Sequence, residues 1–251
     1  MRRVYLTIGC LWLVCTSQTV FGALKATDLA DREAVILHSA YIADVAYLTT
    51  LSATLADEKA RGTLQALPHY YAALAAYKAA ELDEDIELRV GVLLDRCVDE
   101  ARAALKIDPE FAESLALAGA CHGLAAERQP LSSIISGNFS ARELKKALAM
   151  APENPRVLML HASTQLRRYS DRTRVREAEA NLRKALQMFE TFAHDVAPGF
   201  PTWGEVETNR WLAKVALMRD RPAIARDFLE RALLLAPQWQ AAQSQLARLQ
   251  R

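Results

Sequence analysis

The residues that most often do chemistry in proteins are spread thinly through this sequence. The five histidines stand alone, at positions 38, 69, 122, 161 and 194. No two of them have the spacing of a zinc-binding pair. The nine glycines are also scattered singly, so there is no glycine-rich loop for a phosphate and no glycine-flanked serine elbow. The sequence therefore predicts a protein that is not an enzyme and that holds no metal and no cofactor.

Two charged stretches are candidate ligand sites. The acidic residues of 81–87 lack the glycine and the frame of a calcium loop. Because acids at a helix N-terminus oppose the helix dipole favourably, we interpret them as the start of a helix. The stretch 167–184 holds seven Lys or Arg against three Asp or Glu. We interpret it as a solvated loop and helix face, with peripheral contact to an anionic envelope surface as the alternative.

Five aromatic residues fall on two predicted helices. They are Tyr70, Tyr71 and Tyr77 on one helix and Trp203 and Trp211 at the start of the other. Aromatic residues at helical spacing are typical of packing between helices. A platform for carbohydrate or peptide is the alternative.

The N-terminus is typical of a secretory signal peptide over residues 1–22. Arg2 and Arg3 precede an uncharged apolar run of 12 residues, Val4–Cys15. That run is shorter than the roughly 20 residues that a helix needs to cross a bilayer, and small residues precede Ala23, as cleavage requires. We expect an exported chain with a cleaved signal peptide, most consistent with the periplasm. An uncleaved anchor is the alternative.

The overall charge gives no reason to expect nucleic acid. The whole chain carries a formal charge of +1, and loss of the two arginines with the signal peptide would change it to −1. A domain that binds nucleic acid usually has a strong basic bias. We therefore expect no nucleic-acid partner.

The two cysteines beyond residue 22 lie symmetrically about a proline. Cys97 is 12 residues before Pro109 and Cys121 is 12 residues after it. If the flanking helices form an antiparallel hairpin, both cysteines lie about 18 Å from the turn. A disulfide needs Cα atoms within about 7 Å of each other. The sequence leaves two alternatives, a disulfide or two buried free thiols.

A short signature recurs along the chain. Ala-Leu near the end of a helical pattern is followed by proline in three copies, which end at Pro109, Pro152 and Pro237. A fourth copy, Ala185-Leu186, lacks the proline. Since proline is tolerated at the first position of a helix, we expect each proline to begin the next helix.

Capping residues mark the predicted helix starts. Asn154-Pro155 and Asp108-Pro109 each indicate a cap followed by the first helical residue. Thr202-x-x-Glu205 has the pattern of a capping box, in which hydroxyl and carboxylate each accept a hydrogen bond from a free backbone N–H.

The signature resembles the tetratricopeptide repeat family, whose unit is a helix hairpin of about 34 residues. The last copy fits without a gap over residues 206–239. Its matching residues are Leu212, Ala213, Ala216, Ala225, Leu229, Ala232 and Pro237. Residues 112–154 and 155–192 fit once insertions are allowed. The strings Ala120–Leu124 and Pro201–Glu205 further resemble a group of exported bacterial repeat proteins of undefined role.

The resemblance implies an all-α fold in which helix hairpins stack into a right-handed superhelix. Its repeats are 112–154, 155–192 and 206–239, and a capping helix at 240–251 ends the array. Residues 23–111 are less regular. We interpret them as a degenerate helical region, with one repeat and an extra helix.

In this family the first helix of each repeat lines a concave groove that commonly holds a peptide or a partner helix. The groove positions here combine cationic and apolar residues: Arg156, Met159, Arg167, Arg210, Lys214, Leu217 and Met218. Arginine binds carboxylates through two hydrogen bonds, and methionine gives an adaptable apolar surface. Contact of these residues with solvent or with the inserted loops is the alternative.

The resemblance therefore implies a non-enzymatic scaffold or adaptor that binds a protein or peptide partner with acidic and apolar anchors. A helical accessory subunit of an envelope enzyme, or a glycan-binding module that uses the tyrosines, is the alternative function.

Export predicts a defined mature N-terminus. The envelope form of the protein should begin at Ala23, within a few residues, because small residues precede that position. Intact mass spectrometry of the envelope fraction measures this directly. A mass that still includes Met1 contradicts the prediction.

Overall fold

The structure, a computed structural model, describes most of the chain beyond the predicted signal peptide. The described ranges are 23–83, 88–129, 133–168, 171–192 and 196–249. The signal peptide predicted for 1–22 and the acidic residues 84–87 lie outside them.

The described residues form eleven α-helices. They are α1 (Ala26–Tyr41), α2 (Val45–Leu55), α3 (Leu67–Leu82), α4 (Leu88–Ile107), α5 (Ala112–Arg128), α6 (Ser133–Met150), α7 (Pro155–Arg168), α8 (Arg172–Phe192), α9 (Glu205–Met218), α10 (Pro222–Leu235) and α11 (Gln240–Leu249). Extended pairing within these ranges is limited to an isolated bridge between Leu24 and Ala60. The predicted all-α class is confirmed. None of the described helices is long and apolar enough to cross a membrane.

Helices that follow one another in the chain pack as pairs. α5 packs on α6, α7 on α8 and α9 on α10. The odd-numbered helices also contact one another in series, from α1 through α3, α5 and α7 to α9. The even-numbered helices α4, α6 and α8 each contact the odd-numbered helices before and after them. This arrangement places the odd-numbered helices in a continuous row.

The prediction that a signature proline begins each following helix is wrong. Pro109, Pro152 and Pro237 each lie in a turn, and the next helices begin three residues later at Ala112, Pro155 and Gln240. The proline still interrupts the preceding helix because it has no N–H to donate. Asp108 accordingly caps this turn, accepting a hydrogen bond from the backbone N of Glu110 at 3.0 Å.

Of the two other predicted caps, the one at Asn154 is confirmed and the one at Thr202 is wrong. The Asn154 side chain accepts hydrogen bonds from the backbone N of Arg156 at 3.0 Å and of Val157 at 3.3 Å, as predicted. The capping box at Thr202 is wrong, because α9 begins after Gly204, whose φ is 121°. A Cβ at Gly204 would lie 2.6 Å from Cζ of Phe189, so both conformation and space require glycine there.

The structure joins the two cysteines as a disulfide between α4 and α5. Cys97 and Cys121 have Cα atoms 6.3 Å apart, which is within the range that a disulfide spans. Both residues are fully buried in the core. The bond links the N-terminal region to the first of the predicted repeats.

Packing between α9 and α10 leaves no room at Ala213, which is fully buried. Ala213→Leu should therefore overpack the helix contact and lower the free energy of unfolding by about 1–3 kcal/mol. Urea unfolding followed by circular dichroism measures the change. The control is Ala149→Leu on the exposed face of α6. Equal urea midpoints for the two variants would contradict the packing of Ala213 between α9 and α10.

Candidate functional site

The structure divides the predicted groove residues into a buried and an accessible group. Arg156 and Met159 are only 7% and 2% exposed, and the Arg167 side chain is 10% exposed. Arg156 forms an ion pair with Glu113 of α5 at 2.9 Å. Neighbouring helices of the chain therefore cover these three residues, which the repeat resemblance predicted to line a groove.

Helix α3 contributes to this burial through Glu81, which pairs with Arg167. Every residue from Leu67 to Ala80 except His69 is buried. Six alanines between Ala72 and Ala80 let neighbouring helices approach closely. A helix that is apolar on all faces is typically buried, and this signal in the sequence could have indicated a central position for α3.

Lys78, the one cation in this buried stretch, forms an ion pair with α9. Its Nζ lies 2.6 Å from Oε1 of Glu207, and each side chain is 5% exposed. The hydroxyl of Tyr41 lies 3.4 Å from the same carboxylate oxygen. Lys78 also lies over the ring of Trp203, 4.9 Å from its centre. The pair therefore ties α3 to α9 at the centre of the molecule.

A second charged group lies one turn further along α3. Glu81 forms ion pairs with Arg167 of α7 and with Arg210 of α9, the latter at 3.6 Å. Burial by itself would raise the pKa of Glu81, but the surrounding cations, Arg167 first among them, outweigh burial and hold the pKa below its ordinary value. Glu81 is therefore a carboxylate at neutral pH.

A small cavity of about 90 Å³ lies among these charged residues. Its lining includes Lys78, Glu81, Arg167, Glu207 and Arg210. Glu207 Oε2 is buried there and has no hydrogen-bond partner among the described residues. Small-molecule sites usually enclose about 300–1,000 Å³, so this cavity suits a few water molecules and not a peptide.

Three cationic side chains, the buried Arg167 and the more exposed Arg210 and Lys214, surround one indole. Lys214 lies 4.7 Å from the centre of the Trp211 ring, and Arg167 and Arg210 each lie 5.0 Å from it. Arg210 also approaches the ring of Trp239 at 5.7 Å. Partial burial lowers the pKa of Lys214, and repulsion from Arg167 and Arg210 lowers it further. Glu81 pairs with both arginines and Glu127 pairs with Arg167, so the positive charge left for an anionic group is chiefly that of Lys214.

A buried carboxylate holds the segment that leads into α9. Glu33 of α1 accepts hydrogen bonds from the backbone N of Thr202 at 2.8 Å and of Trp203 at 2.6 Å. It also accepts one from the Thr202 hydroxyl at 3.0 Å. Burial raises the pKa of Glu33, although these hydrogen bonds act in the opposite direction. The hydroxyl of Thr202 is thereby used by Glu33 instead of capping α9.

The aromatic residues contribute to packing between helices. Each of the five singled out in the sequence, Tyr70, Tyr71, Tyr77, Trp203 and Trp211, is at most 4% exposed. Trp203 Nε1 donates to the Tyr70 hydroxyl at 2.8 Å, and the Tyr71 hydroxyl lies 2.9 Å from the carbonyl oxygen of Gly199. The alternative of a carbohydrate platform built on these rings is therefore wrong.

The histidines that the structure describes do not gather. His69 contacts Glu100 and His122 contacts Glu143, each at 2.7 Å. Within the described ranges no group of three His, Cys, Asp or Glu side chains could hold a metal ion. The His122 side chain is 13% exposed and stacks on the ring of Phe139.

The buried pair Lys78–Glu207 predicts a strong and non-additive effect on stability. Lys78→Met alone should lower the free energy of unfolding by about 3–5 kcal/mol, because Glu207 is left buried without its cation. Combining it with Glu207→Met should restore most of that loss. Urea unfolding of both variants measures the difference.

The control is Arg183→Met, which removes an exposed i,i+4 ion pair with Glu179. It should change the free energy of unfolding by less than about 1 kcal/mol. If the double variant were less stable than Lys78→Met alone, the two charges would not be compensating each other.

No protein-family model and no curated protein matches this chain.

Proposed function

We propose that this chain is a non-enzymatic, tetratricopeptide-like scaffold that binds an acidic segment of a protein partner on the accessible face of α9. One observation carries the proposal: Arg210 and Lys214 gather with Arg167 around Trp211, and the pKa of Lys214 is lowered by burial and by its cationic neighbours. A carboxylate placed there relieves this repulsion. Arginine in addition binds carboxylates with two parallel hydrogen bonds.

The same face of α9 offers apolar contacts. Arg210, Lys214, Leu217 and Met218 are spaced so that they lie on one side of the helix. Leu217 is half-buried and Met218 is 41% exposed. We call these four residues the α9 face. A partner with acidic residues followed by an apolar side chain fits the order of charged and apolar residues on this face.

The proposal includes a right-handed superhelix of stacked hairpins and export to the periplasm. The pairwise packing of α5–α10 and the row of odd-numbered helices support the superhelix. The groove of a simple repeat array is absent at Arg156 and Arg167, since Glu113 of α5 pairs with Arg156 and Glu81 of α3 pairs with Arg167. A partner therefore binds at the end of the row, where α9 is accessible.

Charge reversal on the α9 face should abolish binding. The variant Arg210→Glu with Lys214→Glu should bind a synthetic Glu/Leu peptide at least about tenfold more weakly, because two charge-assisted contacts are lost. Fluorescence anisotropy measures the affinity, and capture from an envelope extract tests the natural partner. Binding should also weaken as salt shortens the screening length to about 8 Å at 0.15 M.

The matched control is Lys145→Glu with Lys146→Glu, which makes the same charge change on the exposed face of α6. Because Arg210 also contacts Glu81, a second variant, Lys214→Glu with Met218→Ala, leaves that ion pair in place. Circular dichroism and melting temperature verify that each variant is folded. Unchanged peptide affinity and partner capture in both α9 variants would rule out the α9 face.

A further inference from the structure

A second basic site lies where the start of α8 meets the turn between α9 and α10. A cleft of about 450 Å³ opens there. Its lining residues are Arg172, Val175, Arg176, Met218, Arg219 and Arg221. Four of the six are arginines, and they come from two parts of the chain about forty residues apart. We call this site the arginine cleft.

Most of the positive charge in the arginine cleft is uncompensated. Arg219 forms an ion pair with Glu179, which also pairs with Arg183 at 2.9 Å. Arg172, Arg176 and Arg221 make no ion pair within the part of the chain that the structure describes.

The acidic residues next to the cleft do not neutralise it. Asp171 is held by its own helix, where its carboxylate accepts a hydrogen bond from the backbone N of Arg174 at 3.0 Å and pairs with that side chain at 3.6 Å. Asp220 lies in the turn between two arginines and is not part of the lining. Among the described residues, three guanidinium groups of the cleft therefore have no ion-pair partner.

The N-terminus of α10 borders the arginine cleft. Arg221 is its N-cap residue and its side chain makes no capping hydrogen bond, while Pro222 at the first helical position has no N–H to donate. The first N–H groups of a helix have no partner inside the helix and carry a partial positive charge. Such a helix end, when it is not capped, favours a bound anion. Of this helix end, the N-cap residue Arg221 belongs to the lining of the arginine cleft.

We propose that the arginine cleft binds a phosphate-bearing ligand with at least two negative charges. The planar guanidinium group matches phosphate oxygens with two parallel hydrogen bonds. The volume lies within the range of about 300–1,000 Å³ that is typical of small-molecule sites, and it exceeds what one inorganic phosphate fills. Met218 is 41% exposed and offers apolar contact to the carbon part of the ligand.

Calorimetric titration with pyrophosphate tests the site on the purified protein. Wild type should bind one pyrophosphate saturably. The variant Arg172→Gln with Arg176→Gln should bind at least about tenfold more weakly, since it loses charge-assisted hydrogen bonds. Lys145→Gln with Lys146→Gln removes the same charge from α6 and should bind like wild type. Neither Arg172 nor Arg176 belongs to the α9 face, so the two proposals can fail separately.

Vesicles distinguish a free ligand from a lipid headgroup. Sedimentation with phosphatidylcholine vesicles that contain phosphatidic acid, compared with phosphatidylcholine alone, tests the headgroup. If wild type binds the phosphatidic acid vesicles, if pyrophosphate displaces it from them, and if the Arg172→Gln, Arg176→Gln variant does not bind them, the ligand is a lipid headgroup. Pyrophosphate binding without vesicle binding assigns a soluble ligand.

Two results overturn the proposal: no binding of either probe by wild type, or the same loss in the arginine and lysine variants. Arg221→Gln provides an independent variant at the other wall of the cleft, and it too should weaken pyrophosphate binding. Circular dichroism confirms that each variant retains its helices.

Discussion

The hydrogen bonds between Glu33 and the segment before α9 determine how the two ends of the chain meet. Glu33 lies in the first helix, and its donors Thr202 and Trp203 are 169 and 170 residues away. A carboxylate is costly to bury unless donors surround it, so α1 is stable in this position only when the segment is there. This contact brings α9 beside α3, and the buried pair of Lys78 and Glu207 follows from that placement.

Because α9 is held on one side, its two faces have different roles. Toward the interior, Glu207 and Trp211 contact residues of other helices. Toward solvent, Lys214 and Met218 remain accessible. The interior charges stabilise a single arrangement of the helices, and the exterior charges are available for a ligand. A partner on the α9 face would therefore act on a rigid surface, which limits the entropic cost of binding.

Local patterns in the sequence predicted that the chain is helical. They could not predict contacts between residues that are distant in the sequence. The Ala-Leu signature and the cap at Asn154 depend on residues a few positions apart, so both can be read from the sequence. Thr202 has a capping pattern, but its hydroxyl is used by Glu33 on another helix. The repeat resemblance predicted that Arg156 and Arg167 line a groove, and only the fold shows that helices of the same chain cover them. For the same reason the basic stretch 167–184 did not indicate that Arg219 and Arg221 join it.

The position of Glu33 also has a consequence for how the chain is made. Ribosomes add about 5–20 residues per second, so roughly 10–30 s pass between the appearance of Glu33 and that of Thr202. Throughout that interval the carboxylate has none of its backbone donors and must remain hydrated, which keeps α1 from docking. α1 can therefore reach its final place only after Thr202 and Trp203 have become available, and pairing over such a sequence distance makes folding slow. A nascent chain that stalls before residue 202 exposes the apolar side of α1, where chaperones can bind.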